Sequence, residues 1–77
     1  MNNLRRKRIG KLVDILFNVK EAFESIAEDE EEYIDNIPEN LQNSSRYEEA
    51  EEALYNLNEV VSSLDEVLAT LSCVIEN

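Results

Sequence analysis

Seventy-seven residues with one glycine, one proline and one cysteine bound this chain to a single small domain without an internal disulfide. Eighteen carboxylates against seven cations give a formal charge of −11, which makes the chain as a whole a poor general binder of phosphate, and the lack of histidine and of a second thiol argues against a zinc-type centre. No apolar run approaches the ~20 residues of a membrane span and no apolar block follows the basic start as in a signal peptide, so the expectation is a cytoplasmic protein without a membrane partner.

The first segment predicts a helix over about residues 4–35. Ile9, Leu12, Leu16, Val19, Phe23, Ile26, Tyr33 and Ile37 recur at steps of three and four, with Glu30 in the one failed position. Gly10 weakens the opening turns by about 1 kcal/mol relative to alanine, so the first eight residues are expected to fray. The end falls near Asp35 or Asn36, because Pro38 disfavours helical geometry at the residue before it. Charge is divided sharply along the chain. Arg5, Arg6, Lys7, Arg8, Lys11 and Lys20 against Asp14 give residues 1–20 a balance of +5, whereas Arg46 against 17 carboxylates gives residues 21–77 a balance of −16.

A loop at about residues 36–45 follows, in which Pro38–Gln42 can form a short turn with Leu41 folding back as a lid. A second helix is predicted over about 46–75. Ser45 and Glu48 have capping-box spacing, and Glu48, Glu49, Glu51 and Glu52 sit where the positive end of a helix dipole favours them. Tyr47, Ala50, Leu54, Leu57, Val61, Leu64, Leu68, Leu71 and Ile75 then form an unbroken heptad stripe, the mark of a helix with one seam against a partner helix.

The two stripes match in length. Folding about the loop pairs Ile37 with Tyr47, Ile26 with Leu57, Phe23 with Val61, Leu16 with Leu68 and Ile9 with Ile75, in a rod of about 45 Å at 1.5 Å per residue. The fold class expected is therefore all-α, a two-helix antiparallel coiled-coil hairpin forming one domain over residues 1–77. Tyr33 and Tyr47 would plug its loop end. A second set of apolar positions lies beside the seam: Val13, Ile15, Ala22, Ala27 and Ile34 on the first helix, and Ala53, Val60, Val67 and Val74 on the second. Three apolar positions per heptad suit a helix with more than one neighbour, so a homodimer closing into a four-helix bundle is expected, with a heterologous protein partner on the same ridge as the competing solution.

The remaining features divide between bland and sharp readings. Glu28, Asp29, Glu31, Glu32 and Asp35 face Glu48, Glu49 and Glu52 across the loop, either as a solubilising tip or as a surface imitating a phosphate backbone. An EF-hand is not formed, since Tyr33 stands at the fifth ligand position and Ile34 replaces the required glycine. Glu30 reads as a structural exception that snorkels outward or pairs with Arg46. The basic cluster Arg5–Arg8 either meets an anionic surface or simply lies beside the C-terminal end of the second helix, where the dipole welcomes cations. Catalysis has little to stand on: there is no histidine base and no glycine-rich phosphate loop, and Cys73 lies on the outer face of its helix. No cofactor and no small-molecule substrate are expected.

The stretch Tyr33-Ile34-Asp35-Asn36-Ile37-Pro38-Glu39-Asn40-Leu41-Gln42, with Ser45-Arg46-Tyr47-Glu48 and the ladder Ala50, Ala53, Leu57 and Leu64, resembles small acidic proteins of Firmicutes genomes and prophages, mostly of unassigned function. The resemblance covers roughly residues 22–75, leaves the basic first eleven outside, and is most specific at the Ile-Pro-Glu-Asn-Leu-Gln turn. It implies a bacterial or phage host and a helical hairpin, and it transfers no site residue. The functional expectation is a non-enzymatic protein–protein interaction module; the alternative is a phage-type inhibitor whose acidic surface mimics nucleic acid against a nuclease or a CRISPR effector.

Overall fold

A computed structural model describes residues 1–76. Two helices, α1 (Asn3–Asp35) and α2 (Ser45–Glu76), are joined by a connection containing one 3₁₀ turn at Glu39–Leu41. They pack antiparallel into an all-α hairpin measuring 60 × 15 × 13 Å. The rod is longer than the 45 Å expected because α1 begins six residues before Ile9 and the connection extends beyond the stripes at the loop end.

α1 is helical from Asn3 and begins with a side-chain cap. The Asn2 side chain accepts a hydrogen bond from the Arg5 amide at 2.8 Å, satisfying one of the donors that a helix start leaves open. The helix ends where Pro38 requires it to. The Asn36 amide donates to the Glu32 carbonyl at 3.1 Å, and the Ile37 amide donates to the Ile34 carbonyl at 3.1 Å, tightening the last turn. The α2 cap lies one residue before the expected box: Ser44 Oγ accepts from the Tyr47 amide at 3.2 Å, and Ser45 is already helical. Tyr47 thus occupies the third helical position, so Glu48 is out of register for a reciprocal bond. Leu41 does not act as a lid; its side chain is 49 % exposed on the 3₁₀ turn.

Burial fixes the seam. On α2 it comprises the expected stripe, with Tyr47, Leu54, Val61, Leu68 and Ile75 in one row and Ala50, Leu57, Leu64 and Leu71 in the other. On α1 the row Ile9, Leu16, Phe23, Glu30 and Ile37 also holds. Its companion row does not: Arg6, Val13, Lys20, Ala27 and Ile34 face α2, whereas the expected Leu12, Val19, Ile26 and Tyr33 lie outside. Ile26 therefore does not pair with Leu57, and Tyr33, at 46 % exposure, does not plug the loop end.

Both phasings of α1 share the row through Ile9 and Ile37, and a partner helix can cover one flank of it. Three features fit the flank that is used. Ala27 and Ala50, each 6 % exposed, let the backbones approach closely. Ile34, with Ala27 and Ala50, completes the buried set. Lys20 finds a carboxylate on α2. No large side chain is fully buried among the described residues, so the hairpin has a thin core, as expected where two helices share one seam.

Three substitutions test these local effects. A Cβ built at Gly10 meets nothing within 4 Å, so Gly10→Ala should stabilise the fold by about 0.5–1 kcal/mol in chemical denaturation. Ser44→Ala removes the α2 cap and should cost about 1 kcal/mol, while Ser45→Ala should be near neutral.

Candidate interaction surfaces

In heptad terms the seam rows are a and d, which places rows e and b on one side of each helix and rows g and c on the other. A twofold axis perpendicular to the plane of the two helices relates an antiparallel pair, so the g and c rows of both helices share one face of the hairpin. On α1 this face carries Leu12, Ile15, Val19, Ala22, Ile26 and Tyr33, at steps of three and four until Asp29 interrupts. On α2 it carries Ala53, Val60, Val67 and Val74, alternating with Asn56, Ser63 and Thr70. Leu12 is 57 % exposed, Ile15 56 %, Ile26 50 % and Val67 45 %. Two surface depressions open on this face. One of 260 Å³ is lined by Met1, Arg5, Arg8, Ile9 and Leu12, and one of 410 Å³ by Ser63, Glu66, Val67, Thr70 and Leu71.

The expected ridge is thereby revised. Ile15, Ala22, Ala53, Val60 and Val67 lie on it as read from the sequence, and Val74 joins its open end half-buried. Val13, Ala27 and Ile34 do not belong to it, because they take the seam row expected of Leu12, Val19, Ile26 and Tyr33. The residues missed are Leu12, Val19, Ile26 and Tyr33, whose spacing fits a seam row as well as a free face.

The opposite face is mainly polar, with Phe17 and Tyr55 exposed on it. Glu21, Glu24, Glu28, Glu31 and Asp35 form a row along its α1 side at i, i+3/i+4 spacing, so neighbouring Cβ atoms lie about 5–6 Å apart. A shallow groove of 200 Å³ beside them is lined by Glu24, Ala27, Glu28, Glu31, Asn58 and Val61. The eight expected acidic residues, Glu28, Asp29, Glu31, Glu32, Asp35, Glu48, Glu49 and Glu52, are all exposed. They do not make one patch. Their heptad positions distribute them around the loop end, and only Glu28, Glu31 and Asp35 belong to the straight row. Glu30 is half-buried on the seam, and no ion pair joins it to Arg46 among the described residues. No grouping of histidine, cysteine, aspartate or glutamate suited to a metal ion occurs among the described residues.

Lys20 is the polar seam residue that sequence reasoning passed over. Its Nζ lies 2.6 Å from Asp65 Oδ1 and 3.6 Å from Glu24 Oε1, and 5.6 Å from the centre of the Phe17 ring. The hydrogen bond to Asp65 raises its pKa above the ordinary lysine value, helped by the charges of Asp65 and Glu24 and opposed by partial desolvation. The signal was the apolar flank itself: a lysine in a seam row needs an acid on the facing helix, and Asp65 lies at the matching level. No helix among the described residues is long and apolar enough to cross a membrane. No protein-family model matches the chain, no curated protein is significantly similar to it, and no solved structure matches it.

Because the folded-state pKa of Lys20 is raised, its ion pair contributes fully below the ordinary lysine value of 10.5 and is lost as pH rises through the folded value. Thermal melts of the protein should therefore show no Lys20-dependent change around neutrality and a loss above that value, absent in Lys20→Met. Asp65→Ala, which leaves the ammonium without its seam partner, should lower the melting temperature more than Lys20→Met does.

Proposed function

We propose that this chain is a non-enzymatic protein–protein interaction module that acts through the apolar face of its hairpin. The observation that carries the reading is the row of large aliphatic side chains left exposed on one side of a thinly cored rod. Contiguous apolar surface of this kind marks a contact site in a water-exposed protein. Its depressions are wide open and expose mainly apolar surface, which favours a protein surface over a small substrate. A bacterial or phage host, implied by the resemblance around the Ile-Pro-Glu-Asn-Leu-Gln turn, belongs to the same reading.

One observation favours a second reading, an inhibitor that imitates nucleic acid. The acidic row from Glu21 to Asp35 is straight, exposed over most of its length and evenly spaced, the form in which carboxylates can enter a groove built for phosphates. Nucleases and CRISPR effectors present such grooves.

Capture of binding proteins from a bacterial lysate separates the two. The interaction reading expects Val60→Glu with Val67→Glu to abolish capture, with little effect of moderate salt. Mimicry expects capture to collapse with rising salt and with Glu28→Lys, Glu31→Lys and Asp35→Lys, while the valine variant still binds. Retention of the partner by the valine variant would count against the first reading.

A further inference from the structure

We propose that the occupant of the apolar face is a second copy of this chain, laid across it head to tail so that the basic end of each hairpin meets the acidic end of the other. The inference rests on the interaction-module reading and names its partner and geometry.

Area comes first. The hairpin exposes 6009 Å². A compact folded chain of its 8.9 kDa mass would expose about 4,800 Å². The excess, about 1,200 Å², exceeds the share of about 800 Å² that each partner contributes to a standard interface.

Shape comes second. The aliphatic run on α1 extends from Leu12 to Ile26 and has its midpoint at Val19. The run on α2 extends from Ala53 to Val74 and has its midpoint between Ser63 and Leu64. The Lys20–Asp65 contact shows that these two midpoints lie at nearly the same level of the rod. One twofold axis through that level, perpendicular to the rod and lying in the interface, therefore centres both runs on their own copies. Val19 then lies near the axis, Leu12 faces Ile26 of the second copy, and Val60 faces its Val67.

Charge chooses the direction. Along the g and c rows of α1 the side chains pass from Arg5 and Arg8, through the aliphatic run, to Asp29. The α2 rows add Glu49 and Arg46 together at the loop end, so Asp29 remains the uncompensated charge there. A side-by-side dimer with both loops at one end would bring together two tips with the carboxylates of residues 28–52, and two arginine clusters at the other end. The reversed arrangement sets Arg8 against Asp29 of the second copy, twice. Both arrangements keep neighbouring helices antiparallel, so the helix dipoles do not decide between them. The ends of the face do.

Sedimentation equilibrium should give twice the 8.9 kDa chain mass, and Val19→Glu should give a helical monomer, since Val19 lies outside the seam. A nitroxide on Asn40→Cys in a Cys73→Ser background reports direction. Its partner spin should lie about 60 Å away in the reversed dimer, against less than about 30 Å if the loops share one end. Arg8→Glu should weaken the dimer about tenfold at low salt, and adding Asp29→Arg should restore it. A dimer with the short spin distance overturns the arrangement, and a dimer indifferent to Val19→Glu overturns the face. A folded wild-type monomer that still captures a cellular protein through Val60 and Val67 overturns the second copy as occupant while leaving the interaction reading intact.

Discussion

Two helices side by side can bury one pair of rows each, and α1 carries apolar residues on both flanks of the row it shares with every possible seam. That constraint organises the molecule. The flank turned to α2 holds Val13, Lys20 with its Asp65 partner, Ala27 and Ile34, with Arg6 at its open end. The flank turned away holds Leu12, Val19, Ile26 and Tyr33, which together carry more apolar surface. A hairpin optimised as an isolated monomer would reverse this choice, because burying more apolar surface gains more. The inversion leaves the more apolar flank on the surface.

Charge is arranged around the same axis. The apolar face is flanked at the open end by arginines and at the loop end by carboxylates, while the opposite face carries the straight acidic row. Lys20 stands between them, in the seam but reaching toward the acidic side, where Glu24 and Asp65 hold it. A polar residue in such a row costs stability relative to an aliphatic one and, in other coiled coils, fixes register. Here it would tie the level of α1 to that of α2, which is the relation on which the alignment of the two apolar runs depends.

Much of the fold was legible in the residues. The α2 stripe, the stop at Pro38 and the place of Ile9, Leu16, Phe23 and Ile37 in the seam are each dictated by a single physical effect that nothing nearby opposes. The phase of α1 was not, because counting apolar residues favours Leu12, Val19 and Ile26 over a row containing Lys20. That count omits the acid waiting at residue 65 and the close approach that Ala27 and Ala50 permit. The α2 cap shifted for a smaller reason: Ser44 and Ser45 are chemically equal candidates, and only the backbone turn distinguishes them. The acidic tip was legible as composition but not as geometry, since its carboxylates divide between a row and a ring according to the same misjudged phase.

The distribution of the core has a consequence for how the hairpin opens. Ala27, Ile34 and Ala50 all lie toward the loop, while the seam at the open end is only half-covered. Contacts near a short connection also close the smallest loops and so lose the least chain entropy on forming. Both effects point the same way: the hairpin closes from the connection outward, like a zipper, and opens first where the two termini meet. Backbone amides near Ile34 and Ala50 would then exchange with solvent most slowly, and those near Ile9 and Leu71 most readily. In the head-to-tail pair, each labile end lies beside the other copy's firmest region, so assembly would clamp the part of the rod that the monomer holds least well.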